Sequence, residues 1–119
     1  MNVAMHDLHG TQAAEMQSEG IIIRNARDAA ELTKELTGRG IRKLILHERN
    51  LCPEFWQPSN GIADGVLKHF ADSSIALALV GTFDRHKAAS LTALIQEKNL
   101  GNQVSFSDSL ETAKAQLSR

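Results

Sequence analysis

The segment from Arg42 to Phe83 constrains the fold of this chain more than any other. It opens with the strand-like stretch 43–47, whose three central residues are apolar, and closes with Ile75–Gly81, a run in which apolar and polar residues do not alternate. Such a run is typical of a central strand that is covered on both faces. A helix with one apolar stripe lies between the two strands. The segment therefore predicts a β-α-β unit in a parallel sheet with helices packed on it. The predicted stripe consists of Ile62, Ala63, Val66, Leu67 and Phe70.

The flanking sequence adds a β-hairpin and a helix before this unit, and a helix, a strand and a terminal helix after it. Residues Asn2–Leu8 and Thr11–Gln17 flank His9-Gly10, whose glycine suits a tight two-residue turn. The β-branched run Ile21–Ile23 reads as a buried strand fragment or an extended lead-in. We expect further helices over about 26–37 and 86–99, a last strand over 103–107 and a terminal helix that begins after Asp108, from apolar spacing and turn signals. The predicted fold is α/β, with a small, mainly parallel but mixed sheet.

Capping residues locate the ends of these helices. Asn25 and Asp28 have the spacing of a reciprocal N-terminal cap for the first helix, and Asp108 with Glu111 has it for the last. Gly101 stands where a left-handed residue would end the third helix. Leu91, Leu94 and Ile95 are its expected buried positions, and Leu110, Ala113 and Leu117 are those of the last helix.

Composition narrows the class of protein without naming an activity. A chain of 119 residues predicts one domain, with 42% hydrophobic residues, 23% charged residues and a formal net charge of -1. This balance gives no reason to expect nucleic acid or a membrane as partner. No apolar run approaches the roughly 20 residues of a membrane span, and Cys52, the single cysteine, suits a reducing compartment. We expect a cytoplasmic protein with no cofactor.

Candidate ligand-binding residues follow the predicted strands, because ligands of open α/β sheets gather at the carboxyl ends of the strands. His47, Asp84 and His86 occupy such positions and can bind a ligand or move protons. No pair has zinc-type spacing, so we expect no metal. Cys52 reads as packing rather than as a nucleophile.

A second candidate surface lies just before and within the central helix. Phe55 and Trp56 stand in a loop, where they either plug the end of the core or contact a partner. The turn Ser59-Asn60-Gly61 and the nearby Asp64 complete the candidate interaction surface. Ser59 or Asn60 is the expected helix cap, and Gly61 and Gly65 are expected to permit close packing on the sheet.

Several short motifs resemble the bacterial domain-of-unknown-function family 4180 over about residues 21–117. They are Asp28-Ala29, Asn50–Trp56, Gly61-Ile62-Ala63, Leu77–Phe83, Glu97–Gly101 and Val104-Ser105-Phe106. The order of elements is also similar to STAS domains and their SpoIIAA-like relatives. In those domains the helix opens at a turn with a phosphorylatable serine, and Asn60 takes that place here.

Together, these observations favour a non-enzymatic, STAS-like regulatory module that binds a protein partner or a second copy of itself. The alternative is a small-molecule or anion-binding module, or an enzyme, with its site at the strand ends.

Overall fold

The structure is a computed structural model that describes residues 3–118. Its first two strands, β1 (Val3–Leu8) and β2 (Thr11–Met16), form the predicted hairpin, and Asn2 lies outside the described residues. His9 and Gly10 both have positive φ values, 53° and 88°, which is the requirement of a type I′ turn. The loop that follows contributes one isolated bridge from Ile23 to Leu51, so the lead-in is extended and only its last isoleucine is fully buried.

Three β-α-β crossovers and a terminal helix make up the rest of the chain. They comprise α1 (Ala26–Gly38), β3 (Lys43–His47), α2 (Ile62–Asp72), β4 (Ala76–Val80), α3 (Arg85–Glu97), β5 (Val104–Ser107) and α4 (Leu110–Leu117). Three short 3-10 turns, Glu48–Asn50, Pro53–Trp56 and Pro58–Asn60, connect β3 to α2. No helix within residues 3–118 has both the length and the apolar character needed to cross a bilayer.

The five strands lie side by side in the order in which they occur in the chain. Strand β1 is antiparallel to β2, and every other neighbouring pair is parallel. The predicted mixed α/β sheet with a leading hairpin is confirmed.

The two faces of the sheet are covered unequally. Side chains of α1, α2 and α3 pack on one face, against alternate residues such as Leu44, Leu46, Leu77 and Leu79. Of the described helices, only α4 packs on the other face, where Ala113 and Leu117 meet a smaller apolar cluster. That cluster also includes Leu8, Ala13, Ile45, Ala78 and Val80. Burial on both faces explains why β4 shows no alternation.

Three predictions about helix ends were wrong in detail. Asn99, with φ 56°, is the left-handed residue after α3, because the helix ends two residues earlier than expected and asparagine tolerates this conformation. Ser109, rather than Asp108, caps α4 and accepts a hydrogen bond from the Thr112 amide. The Asn25 side chain caps α1 by accepting from the Asp28 amide at 3.0 Å, but the cap is not reciprocal, because the Asp28 carboxylate accepts from the Arg24 amide at 2.9 Å.

Two packing predictions also need correction. Gly65 permits close packing on α1, not on the sheet, since an added Cβ would lie 3.2 Å from the Cβ of Ala26. In α3 only Leu91 is fully buried, while Leu94 and Ile95 are half-buried, and in α4 Leu110 is half-buried. Helix α3 therefore leaves part of its apolar side uncovered.

Candidate functional site

The loop between β3 and α2 places its two aromatic residues inside the molecule. Phe55 is 2% exposed and Trp56 is 7% exposed, and the rings meet edge to face at 4.9 Å. Phe83 and Phe106 extend this edge-to-face row at 5.6 and 5.4 Å. Of the two roles considered for the aromatic pair, the structure shows the core plug, and little ring surface is left for a partner.

The turn before α2 depends on Asn60 and Gly61. The side-chain Nδ2 of Asn60 donates to the Glu54 backbone carbonyl at 2.8 Å. The side-chain Oδ1 of Asn60 accepts from the Ile62 backbone amide at 2.9 Å. Gly61 has φ 71°, a left-handed conformation that favours glycine. Asn60 thus takes the capping role, although Gly61 is the residue that directly precedes the helix.

A groove of about 480 Å³ lies between the start of α2 and the middle of α3. Its lining residues are Phe55, Trp56, Gly61, Ala63, Asp64, Ala89, Ser90, Leu91, Ala93, Leu94 and Glu97. Most of these side chains are apolar or small, so the surface of the groove is mainly apolar. Four of the six predicted interaction residues line it, and Ser59 and Asn60 do not.

The two ionisable side chains that line the groove, Asp64 and Glu97, are both acidic. Asp64 pairs with Lys98 at 3.3 Å, in a bridge whose side chains are 49% and 42% exposed. Such an exposed pair contributes little and exchanges easily. Glu97 lines the same groove and has no ion pair within residues 3–118. The rim of the groove therefore favours a positively charged group.

A second cavity, of about 350 Å³, lies at the carboxyl ends of β3 and β4. It contains two of the three predicted ligand-site residues, Asp84 and His86. Asp84 already accepts from the Lys87 amide at 2.7 Å as the cap of α3. The Lys87 ammonium group in turn bonds to Glu48 at 2.6 Å and lies 5.6 Å from the centre of the Trp56 ring. The cavity is lined by Glu48, Leu51, Pro53, Trp56, Gln57, Asp84, His86 and Lys87.

His47, the third predicted ligand residue, does not line that cavity. Its Nε2 lies 2.7 Å from one oxygen of Glu15, and Nε2 of His6 lies 2.8 Å from the other oxygen. Glu15 is only 7% exposed. One buried carboxylate of β2 thus holds a histidine from each neighbouring strand, on the sheet face that carries α4.

The charge state of Glu15 follows from these contacts. Burial alone would raise its pKa, but hydrogen bonds to His6 and His47 and the charge on these rings outweigh burial and lower the pKa of Glu15. An ionised carboxylate only accepts hydrogen bonds, so each ring donates from Nε2.

His6 and Glu15 were not among the predicted site residues, although the sequence of the hairpin carried a signal for them. A two-residue turn at His9-Gly10 fixes the pairing of His6 with Ala13. Since Glu15 follows Ala13 by two positions, both polar side chains share one face of the sheet. Within residues 3–118, no group of three or more histidine, cysteine, aspartate or glutamate side chains is arranged to hold a metal ion.

Cys52 is buried against the segment before α1. Its sulfur lies 3.5 Å from the Arg24 carbonyl oxygen, and burial raises the pKa of the thiol. A thiol held in its protonated form is a poor nucleophile, which agrees with a packing role.

The chain belongs to the family described as a domain of unknown function, DUF4180, whose model matches residues 8–117. Searches of curated proteins and of solved structures found no match.

Proposed function

We propose that this protein is a non-enzymatic regulatory module that binds a short amphipathic helix of a partner protein in the groove between α2 and α3. The observation that carries the proposal is the groove itself, which combines an apolar surface with an acidic rim. Two helices that flank an apolar groove offer the surface that helix-in-groove recognition uses. STAS-like regulation, which the order of elements suggested, is the kind of role that such a groove would serve.

The chemistry of the rim defines the partner segment. Apolar side chains at helical spacing would cover Ala63, Ala93 and Leu94, which line the groove. A lysine or arginine on the same segment would pair with Glu97 or replace Lys98 on Asp64. The small side chains on α3 would let the partner helix approach α3 closely.

The test uses a photoreactive phenylalanine derivative placed at Ala93 or, as a control, at Thr92, which is exposed but lies outside the groove. Cross-linking in cells of the source organism should capture, from position 93 alone, a segment with apolar residues at helical spacing and a basic residue. Equal yields from both positions, no capture at all, or a captured segment without these features would refute the proposal.

Matched substitutions then test charge and shape. Ala93→Glu and Glu97→Lys should each abolish capture of that segment, because one places a carboxylate on the apolar surface and the other reverses the charge of the rim. Thr92→Glu and Gln96→Lys place the same side chains at exposed positions outside the groove and should leave capture of the segment unchanged. Loss in all four variants would show that the groove is not the binding surface.

A second candidate function is the binding of a small polar molecule or anion in the cavity that Asp84 and His86 share. The supporting observation is the mixture of acidic and basic side chains around one cavity at the strand ends. A ligand that binds only the folded state raises the melting temperature. In a thermal screen of nucleotides, carboxylic acids and phosphate, a ligand of this cavity should stabilise the wild type and Thr82→Ala but not His86→Ala. No shift with any compound would exclude this candidate for those classes.

A further inference from the structure

Strand β1 forms one edge of the sheet, and within residues 3–118 no other strand pairs with its outer side. An edge strand presents unpaired amide and carbonyl groups, which proteins commonly protect with lysine, proline or a bulge. Val3–Leu8 contains neither lysine nor proline, and it pairs with β2 without a break from Val3↔Met16 to Leu8↔Thr11. This edge is therefore open to a further strand.

The hairpin turn determines which backbone groups face outward. In a hairpin with a two-residue turn, the residues that flank the turn exchange hydrogen bonds with each other. By alternation, Leu8, His6 and Ala4 direct their peptide groups toward β2. Val3, Met5 and Asp7 then direct theirs outward, where they can pair with a second chain.

Met5 indicates what that second chain is. Its side chain is 44% exposed, and Ile21 is the only other large apolar side chain among residues 3–118 with similar exposure. We propose that two copies of this protein pair antiparallel through β1, with the two-fold axis at Met5. Each Met5 then packs on its counterpart, and the two sheets join into one.

This register agrees with both the backbone and the side chains. It pairs Met5 with Met5 and Val3 with Asp7, which are the residues with outward peptide groups, and gives on the order of six main-chain hydrogen bonds. It places His6 opposite Ala4 of the partner, a small residue that leaves the His6–Glu15 contact undisturbed. An axis at His6 would instead set the two imidazoles against each other and oppose Met5 with Asp7.

Equilibrium sedimentation over a range of concentrations tests self-association, with Met5→Lys and Ile21→Lys as a matched pair. A lysine at Met5 would face its own counterpart across the axis, so Met5→Lys should abolish the dimer. Ile21→Lys adds the same charge at the other exposed apolar side chain and should leave the dimer intact. A monomeric wild type, or equal effects of the two variants, would overturn the proposal.

Cross-linking tests the register separately. Opposite residues of an antiparallel pair have side chains on the same face, with Cβ atoms about 4.5–5.5 Å apart, within reach of a short bismaleimide cross-linker. Because Cys52 is buried, Met5→Cys adds the one accessible thiol of the described chain. The cross-linker should join Met5→Cys into covalent dimers much faster than Gln12→Cys, whose thiol would lie exposed on β2. Equal rates would rule out an axis at Met5.

Discussion

At the scale of single residues, Glu15 is the only acidic or basic side chain that is buried among residues 3–118. It lies in the sheet between two strands, and each of its oxygens meets one histidine, at 2.8 Å for His6 and 2.7 Å for His47. Hydrogen bonds to a charged group contribute more than neutral ones, and a buried group left without its partner is costly. The side chain of Glu15 therefore links β2 to β1 and to β3, in addition to the backbone hydrogen bonds between these strands.

Replacement of Glu15 by glutamine should destabilise the fold at neutral pH by about 1–3 kcal/mol, because one histidine then faces an amide NH₂ group in place of an acceptor. The pKa of Glu15 is lowered from an ordinary value of 4.5, so its ionised form stabilises the fold above that pH. This contribution is lost as the pH falls through the lower, folded-state pKa.

Urea denaturation of the wild type and Glu15→Gln at pH 7 and again below pH 4 measures this effect. The difference in the free energy of unfolding should be large at pH 7 and shrink in acid. Glu19→Gln is the control, since the Glu19 side chain is 93% exposed and should show a small effect at both pH values. A difference that stays constant with pH would contradict the assignment.

At the scale of elements, α4 has more structural importance than its eight residues suggest. It is the one described helix on its face of the sheet, where it covers Ile45, Ala78 and Val80. Ala113 is completely buried there, whereas Ala115, on the same helix, is exposed. The same substitution at Ala113 and at Ala115 therefore tests the contact between α4 and the sheet.

Ala113→Asp should destabilise the protein by more than about 3 kcal/mol, because it places an unpaired carboxylate against an apolar face. Ala115→Asp changes an exposed position and should cost about 0.5–1 kcal/mol, mainly through helix propensity. Chemical denaturation, together with binding of a dye specific for exposed apolar surface, measures both effects. Similar stabilities for the two variants would show that α4 does not hold this face closed.

At the scale of the whole molecule, the sequence predicted the architecture better than it predicted the sites. Strands and helices followed from local periodicity, and the apolar run 75–81 required a sheet covered on both faces. The groove was partly predicted, through Gly61 and Asp64, but its α3 wall depends on how two helices pack. The grouping of His47 with Asp84 and His86 assumed that neighbouring strand ends direct their side chains to one place.

Side-chain direction explains why that grouping is not seen. Successive residues of a strand point to opposite faces, so the last residue of β3 and the residues after β4 need not share a site. His47 points to the face with Glu15, while Asp84 and His86 belong to the loop and the first turn of α3. No local sequence pattern predicts which of these side chains share a site, because their directions depend on strand register and on the path of the loop.

The strands lie in the sheet in the same order in which they occur in the chain, and this order affects how the chain folds during synthesis on the ribosome. Chains emerge from the N-terminus onward, and here each new strand would find its neighbour already in place. The sheet can thus grow in one direction, away from β1, without waiting for a later segment to insert. Helix α4 is the last described element to emerge, so a chain that stops before residue 110 would leave Ile45, Ala78 and Val80 uncovered. Nascent or truncated chains should therefore be prone to aggregate, while the complete fold needs no rearrangement to close.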